Sequence, residues 1–258
     1  MKITVIGGTG LIGSRVVTQL RGSGAEVVSA ARATGVNSYT GEGLEEALDG
    51  ADVVVDVSNS SYTDEAAARE FFYASTLNLL TYGAAAGVGH HVALSVVGTD
   101  RLARAEGGYF QAKDAQERLI VESGRPYSLV HATQFFEFIR NIIDNASRGG
   151  IIRLADTRIQ PMAADDVAAA VVEVALASPV NSTVEYGGPE IFDLADLATR
   201  ELRFRRDERE VVADALGTYF GAWLGPDDLL PDPDARIAAT RFHEWQVNSN
   251  TISPLSIS

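Results

Sequence analysis

Three residues of this chain have the types and order needed to protonate a carbonyl. Tyr109 and Lys113 stand four apart in the segment Tyr109-Phe110-Gln111-Ala112-Lys113, which puts phenol and ammonium on one face of a helix. An ammonium beside a phenol favours the phenolate and lowers the tyrosine pKa. A tyrosine so tuned can donate its proton to a carbonyl oxygen while a hydride reaches the carbon. Lys113 can also hold a cofactor ribose. Upstream, Ser95 lies in Val92-Ala93-Leu94-Ser95-Val96-Val97, near the C-terminal end of an apolar strand. Ligands of open α/β sheets bind at that end, so its hydroxyl can orient the same carbonyl. Alone, a Y-x-x-x-K pair or a serine at a strand end is commonplace. The conjunction carries the reading.

A source of hydride is implied by the N-terminus. Gly7-Gly8-Thr9-Gly10-Leu11-Ile12-Gly13 follows a short apolar strand and opens a helix, as in a dinucleotide fold. There Gly7 allows the tight turn, Gly10 lets the backbone approach a pyrophosphate, and Gly13 lets helix and strand pack closely. The amides of Thr9, Leu11 and Ile12 and the helix N-terminus supply positive potential for the diphosphate. A phosphate loop of the ATPase kind needs Lys then Ser or Thr after its last glycine; here Ser14-Arg15 follow. The second strand ends Ser29-Ala30-Ala31-Arg32 with no carboxylate close behind. An acidic residue there would bind the 2′-hydroxyl of NAD, whereas Arg32 suits the 2′-phosphate of NADP. NADP(H) is therefore preferred and NAD remains possible.

The elements that must position these groups alternate. Lys2 to Ile6, Glu26 to Ala31, Asp52 to Val57, His91 to Val97 and Tyr127 to Ala132 read as buried strands. Leu11 to Leu20, Leu44 to Leu48, Asp64 to Ala86 and Tyr109 to Glu122 read as helices between them. Such alternation gives a parallel sheet covered on both faces, a Rossmann-type doubly wound α/β fold. Phe135 to Ala146 and Asp165 to Ala177 have helical spacing, and Ile151 to Pro161 holds short strand-like pieces. Residues 1–246 read as one Rossmann-like domain, with 1–132 the cofactor-binding core and 133–246 mostly a smaller substrate lobe. The Ser- and Asn-rich stretch 247–258 reads as a flexible tail. Asp165-Asp166 begin a helix and suit capping better than acid–base work. His131, inside a strand, reads as structural.

The 258 residues carry 21 Lys and Arg against 35 Asp and Glu, a net charge of -14. That balance speaks against a nucleic-acid partner and against an anionic membrane surface. There is no cysteine, which removes thiolate and disulfide chemistry. None of the four histidines forms an H-x-x-x-H pair, so no metal is expected. No apolar run reaches a membrane span, and the expected compartment is the cytoplasm. No G-x-S-x-G elbow points to a hydrolase. The expected partner is a small-molecule substrate; monomer and homodimer fit equally.

Several stretches together resemble the short-chain dehydrogenase/reductase superfamily, in its atypical branch of NmrA-like and NAD(P)H-binding proteins. They are Ile3 to Gly13, Asn78-Leu79-Leu80 with Ala84-Ala85-Ala86-Gly87-Val88, Leu94 to Gly98, Tyr109 to Lys113, Ala132 to Phe136 and Ala164-Asp165-Asp166-Val167-Ala168. The resemblance runs from Met1 to about Trp245. It implies a Rossmann fold, NADP or NAD, and often the reduction of a carbonyl or quinone. The best-known branch carries N-N-A-G after the fourth strand; here the corresponding stretch is Val57-Ser58-Asn59-Ser60, which puts Ser58 at the cofactor. The turn Thr133-Gln134-Phe135-Phe136 matches the family's substrate-pocket wall, although Phe135, Phe136 and Phe138 suit core packing equally. The expected activity is NADPH-dependent reduction of a small carbonyl or quinone-like substrate. A redox-sensing NADP-binding protein without turnover, and an isomerase or epimerase using bound cofactor, are the alternatives.

Overall fold

The computed structural model describes residues 1–62, 64–105 and 108–251. Its first half alternates as the hydrophobic pattern requires. The strands are β1 (Lys2–Ile6), β2 (Glu26–Ala30), β3 (Val53–Asp56), β4 (His90–Val96) and β5 (Tyr127–Ala132). Between them lie α1 (Leu11–Gly22), α2 (Leu44–Leu48), α3 (Glu65–Ala85), α4 (Thr99–Arg104) and α5 (Gly108–Glu122). Every residue of β3 is buried, as expected for a strand sandwiched between helical layers. Asp64 caps α3 by accepting the Ala67 amide at 3.0 Å, which satisfies one of the free donors of the first turn.

The second half adds α6 (Ile139–Asn145), β6 (Ser147–Arg148), β7 (Ile151–Ala155), β8 (Arg158–Ile159), α7 (Ala164–Leu176), β9 (Thr183–Gly187), β10 (Phe192–Asp193), α8 (Leu194–Arg205), β11 (Glu210–Asp214), β12 (Thr218–Tyr219), β13 (Ala222–Trp223), β14 (Arg236–Ile237) and α9 (Phe242–Thr251). Among the described residues seven strands form one parallel sheet in the order β14-β9-β5-β4-β3-β1-β2. Because β1 has β2 on one side and β3 on the other, the direction of winding reverses there. Loops leaving the strand ends at such a switch point diverge and open a crevice. One apolar cluster joins the sheet to α1 and α7. Another joins α3 and α5 to the lobe, through Phe72, Phe110, Phe136, Ile152, Leu197 and Leu229.

Two sequence expectations are corrected, and one element is added. Residues 99–104 form α4, a helix too short to leave a periodic signal. Phe135 to Ala146 is not one helix: a 3-10 turn over Phe136–Phe138 precedes α6. The tail expected from Val247 is helical to Thr251 as part of α9, while 252–258 lie outside the described residues. The reason is tertiary. Phe242 and Trp245 of α9 pack on Phe136, with ring centroids 5.2 and 5.4 Å away, and that contact holds a helix whose own sequence is weakly helical. Among the described residues no helix is long and apolar enough to cross a membrane.

Candidate active site

A cleft of about 910 Å³ opens at the C-terminal ends of β1, β2, β3 and β4. Gly7, Thr9, Gly10, Leu11 and Ile12 form its floor beside Arg32, Ser58, Ser95, Tyr109, Lys113 and Phe135. Gly7 turns the chain at φ +80, where an L side chain is strained. A Cβ on Gly10 would meet nothing in the protein within 4 Å but the Gly7 carbonyl oxygen, at 3.2 Å. Gly10 thus leaves its space to whatever occupies the cleft. No side chain caps α1, so its first-turn amides are free for an outside acceptor. Gly13 is not in the cleft wall. Its Cβ would stand 2.1 Å from the Gly7 carbonyl oxygen, so its part is to let helix and loop touch.

The cleft wall is positively charged in an acidic protein. Arg32 and Lys113 are its only ionised side chains among the described residues, and no Asp or Glu lines it. Arg32 is exposed at the start of a 3-10 turn, Arg32–Thr34. This cradle of free amides, a glycine-cleared floor and two cations fits a dinucleotide.

Tyr109 and Lys113 do share a face of α5, but their partners differ from those expected. The Tyr109 hydroxyl donates to Asn59 Oδ1 at 2.8 Å, and Asn59 Nδ2 donates to the Tyr62 hydroxyl at 2.7 Å. Lys113 Nζ donates to the Leu94 carbonyl at 2.9 Å and to Gln116 Oε1, and sits 4.6 Å from the Phe72 ring centroid. Gln116 passes the contact to Asp56 at 3.0 Å, and Asp56 also receives the Ser58 hydroxyl at 2.6 Å. Burial lowers the Lys113 pKa to about 8, against the pull of Asp56 and Glu117. The Tyr109 phenol is pushed well above 10, by burial first and by Tyr62 second. The expectation of a lysine-stabilised phenolate is therefore corrected. A buried ammonium must satisfy its own donors, and backbone and amide oxygens lie closer than the phenol. Tyr109 stays a neutral phenol, which is still the protonation state a proton donor needs.

Ser95 is corrected in the same way. Its hydroxyl donates to Glu117 Oε1 and lies 3.2 Å from Thr99 Oγ1, so its proton is not offered to a carbonyl. Glu117 is one end of a buried relay. His131 Nε2 lies 3.1 Å from Glu117 and its Nδ1 3.6 Å from Glu185 of β9. Burial alone would lower the imidazole, but the hydrogen bonds to both carboxylates outweigh it and raise the pKa to about 9. The stabilisation from charged His131 is then fully present below about pH 6.5 and lost as pH rises through about 9, worth on the order of 3 kcal/mol. His131→Gln is accordingly expected to melt well below the wild type at pH 6, with the gap narrowing by pH 9.5. Parallel melts at both pH values check this; a constant gap would mean that the imidazole is neutral throughout.

The predicted substrate wall divides. Thr133, Gln134 and Phe135 line a second, smaller pocket of about 60 Å³, which shares Tyr62, Val96, Tyr109, Phe135 and Phe138 with the cleft. Phe136 does not belong to it: the residue is fully buried under α9, a correction to its placement in the pocket. Sequence reasoning missed Asn59, Tyr62, Tyr219 and Phe220. Only Asn59 left a signal, in the stretch that departs from N-N-A-G. Asp165 and Asp166 do not cap α7, whose N-cap is Ala163 without a side-chain bond. They instead meet Arg15 at 2.9 Å and the Thr240 amide at 3.0 Å.

Residues 3–129 match the NAD dependent epimerase/dehydratase family. Over that segment and in its fold the chain is similar to the short-chain dehydrogenase/reductase superfamily. Its seven-stranded Rossmann sheet has the superfamily's architecture. Photosystem II assembly factor Ycf39 of Synechocystis is 26% identical over 166 residues, which cover 57% of this chain and 50% of that protein, so the match spans half the length of that relative. The structure of MoeE5 in complex with UDP-glucose and NAD superposes with a TM-score of 0.73 at 19% identity, covering 98% of this chain and 100% of that one. NADPH-dependent quinone oxidoreductase QOR2 of Escherichia coli, complexed with NADPH, superposes with a TM-score of 0.65 at 21% identity, covering 83% and 80%. These likenesses concern the fold. Within it, the two pockets of this protein meet at the Tyr109 side chain.

Proposed function

We propose that this protein is an NADP(H)-dependent reductase of a small carbonyl or quinone-like substrate. The observation that carries the reading is the position of Tyr109, whose ring walls both the large charged cleft and the small aromatic pocket. A proton donor is needed at that junction and nowhere else. The free amides at the start of α1 would hold the pyrophosphate, Arg32 a 2′-phosphate, and Lys113 with Ser58 the inner part of the cofactor. When bound, a nicotinamide cofactor supplies hydride to the substrate carbonyl carbon. Tyr109 then releases Asn59 and gives its phenolic proton to the carbonyl oxygen, leaving an alcohol. Asn59 keeps the phenol aimed while it waits. The aromatic walls exclude water, which would compete for that proton.

A second reading has the family match in its favour: an epimerase or dehydratase that takes a hydride and returns it. Relatives such as MoeE5 bind UDP-glucose, and a nucleotide sugar brings a diphosphate of its own. The small pocket here is walled mainly by aromatic rings and has no cationic side chain among the described residues, which favours an uncharged substrate and the reductase. NADPH oxidation is the deciding measurement, run against a panel of quinones and aromatic ketones. Net consumption supports the reductase. Conversion of a substrate without net consumption supports the epimerase. Tight NADPH binding with neither supports a redox sensor.

The cofactor choice has its own test. A charge-assisted bond from Arg32 to a 2′-phosphate is worth roughly 1.5–3 kcal/mol. Arg32→Ala is expected to weaken NADPH binding at least tenfold and leave NADH binding within about twofold, read by titration calorimetry. Equal losses for both would remove Arg32 from the 2′ site.

A further inference from the structure

A carbonyl held by one donor can swing about that bond; a second donor fixes its plane and polarises it. Ser95 does not serve, since its hydroxyl donates to Glu117. Tyr219 has a hydroxyl to give. The residue is buried, with 7% of its surface exposed, and its hydroxyl makes no hydrogen bond to any described residue. Its oxygen is nevertheless not sealed off, in contrast to the amide atoms of Gln134. The space that Tyr219 lines is the small pocket beside Tyr109. The other polar side chains of that pocket are engaged or covered. The Thr133 hydroxyl donates to the Gln160 carbonyl at 2.7 Å, Asn59 bridges the hydroxyls of Tyr109 and Tyr62, and Gln134 is sealed. Burial pushes the Tyr219 phenol up, and Tyr62 pushes it further; Tyr219 acts on Tyr109 in the same direction. The three phenols thus face one space, and Tyr219 keeps its proton there.

The chain is bent out of its way to put Tyr219 in this position. Thr218 pairs with Trp223 and Tyr219 with Ala222, so Phe220-Gly221 is a two-residue hairpin loop, with φ of +47 and +85. Such a loop suits Asn or Gly at its first position. A phenylalanine with left-handed backbone is strained, and strain of this kind gathers at functional sites. The Phe220 ring offsets it by packing 4.8 Å from the Tyr219 ring and 5.4 Å from that of Tyr62, between centroids. On its other side the Tyr219 ring stacks on Phe110 at 6.2 Å. Tyr219 is held between two rings with its hydroxyl toward Tyr62 and Tyr109.

We infer that Tyr219 is a second catalytic hydroxyl, which donates a hydrogen bond to the substrate carbonyl oxygen and holds it for protonation by Tyr109. The pocket of about 60 Å³ has room for a few small molecules of water, and so for the carbonyl and a short group beside it, while a ring on the other side stays in the large cleft. The inference rests on the reductase reading for the reaction. Hydride adds to the carbonyl carbon and NADPH is oxidised. The carbonyl oxygen takes the Tyr109 proton, and solvent later returns a proton to Tyr109. Tyr219 keeps its own proton throughout and stabilises the charge that grows on the oxygen.

Tyr219→Phe tests this, with 1-phenyl-1,2-propanedione as the probe, a neutral aromatic diketone whose far carbonyl carries only a methyl group. The variant keeps the ring contacts with Phe110 and Phe220 and loses a hydroxyl that has no protein partner, so it should melt at or above the wild type. NADPH affinity should stay within about twofold, because Tyr219 does not line the large cleft. The kcat/KM for the diketone is expected to fall by roughly 10²-fold, as for loss of one donor at a developing oxyanion. Binding of the diketone to the complex with NADP+, in which no hydride can move, gives a comparison without turnover; it should weaken about threefold or more. Turnover in Tyr219→Phe within about threefold of wild type, on the diketone or any other carbonyl compound the wild type reduces, overturns the inference and leaves the reductase reading standing. A large loss of Tm in the variant also overturns it, since the hydroxyl must then be bonded within the protein. Diketone binding that depends on Tyr219, with no NADPH oxidation by any compound, overturns the reductase reading and leaves Tyr219 as a group that holds carbonyl oxygen. Neither turnover nor Tyr219-dependent binding overturns both.

Discussion

Tyr109→Phe is expected to lower turnover by roughly 10²–10⁴-fold, the usual contribution of a positioned proton donor, while NADPH binds within about threefold of wild type. The separation of the two effects follows from the surroundings of the ring. Tyr109 packs against Tyr62, Phe72 and Phe110 with centroids 4.5, 5.9 and 5.5 Å away, and phenylalanine keeps each of these contacts. What it removes is one hydroxyl, which donates at rest to Asn59. The fold should lose about 1 kcal/mol for that hydrogen bond, far less than the kinetic effect. The pH profile gives a second check. Since burial holds the phenol well above its ordinary value of 10, Tyr109 remains protonated through the neutral and mildly alkaline range. Any decline in rate near pH 8 then belongs to Lys113, held at about 8, and should be absent from the pH profile of Lys113→Met. Unchanged kcat in Tyr109→Phe, with NADPH still bound, would remove the proton donor from the mechanism.

The second large effect is expected at Gly13. Alanine is the better helix former by about 1 kcal/mol, and Gly13 lies inside α1, so propensity alone predicts a stabilised protein. Sterics predicts the opposite and wins. The new methyl would fall 2.1 Å from the Gly7 carbonyl oxygen and 2.8 Å from the Gly8 Cα, and backbone atoms of a tight turn have nowhere to retreat. Overpacking of this kind costs about 1–3 kcal/mol or more. It also separates α1 from the loop whose amides serve the cofactor, so NADPH affinity should fall by about a hundredfold. Gly22→Ala, at the far end of the same helix with no atom within 4 Å of its Cβ, isolates the propensity effect. It should raise stability by about 0.5–1 kcal/mol and leave the cofactor untouched. Denaturant melts of the two variants side by side, with NADPH titrations, test the pair. A Gly13→Ala protein as stable as Gly22→Ala would mean that loop and helix are not in close contact.

The sequence alone determined the frame of this protein. The buried β-branched strands, the helical spacing between them and the glycine loop after β1 are local signals, set by periods of two and 3.6 residues and by turn chemistry. They led to the parallel sheet and the cleft at its C-terminal edge. The same signals put Tyr109, Lys113, Ser95 and Arg32 at that cleft, because a residue's place along a strand or helix decides which end of the sheet it reaches. What each group bonds to was decided only in three dimensions. Tyr109 found Asn59, fifty positions away in the chain. Ser95 gave its proton to Glu117, and Lys113 turned to Leu94 and Gln116 instead of the phenol. Phe136 and the start of the supposed tail share one cause, since α9 folds because it covers Phe136 and Phe136 is core because α9 covers it. Phe135 and Phe138, one and two residues away, face the pocket instead. A buried polar group takes the nearest acceptor that folding brings to it, and an aromatic ring takes the side on which a partner helix lands. Neither choice is written in the spacing of neighbouring residues, because both are made by elements that meet only when the chain has closed on itself.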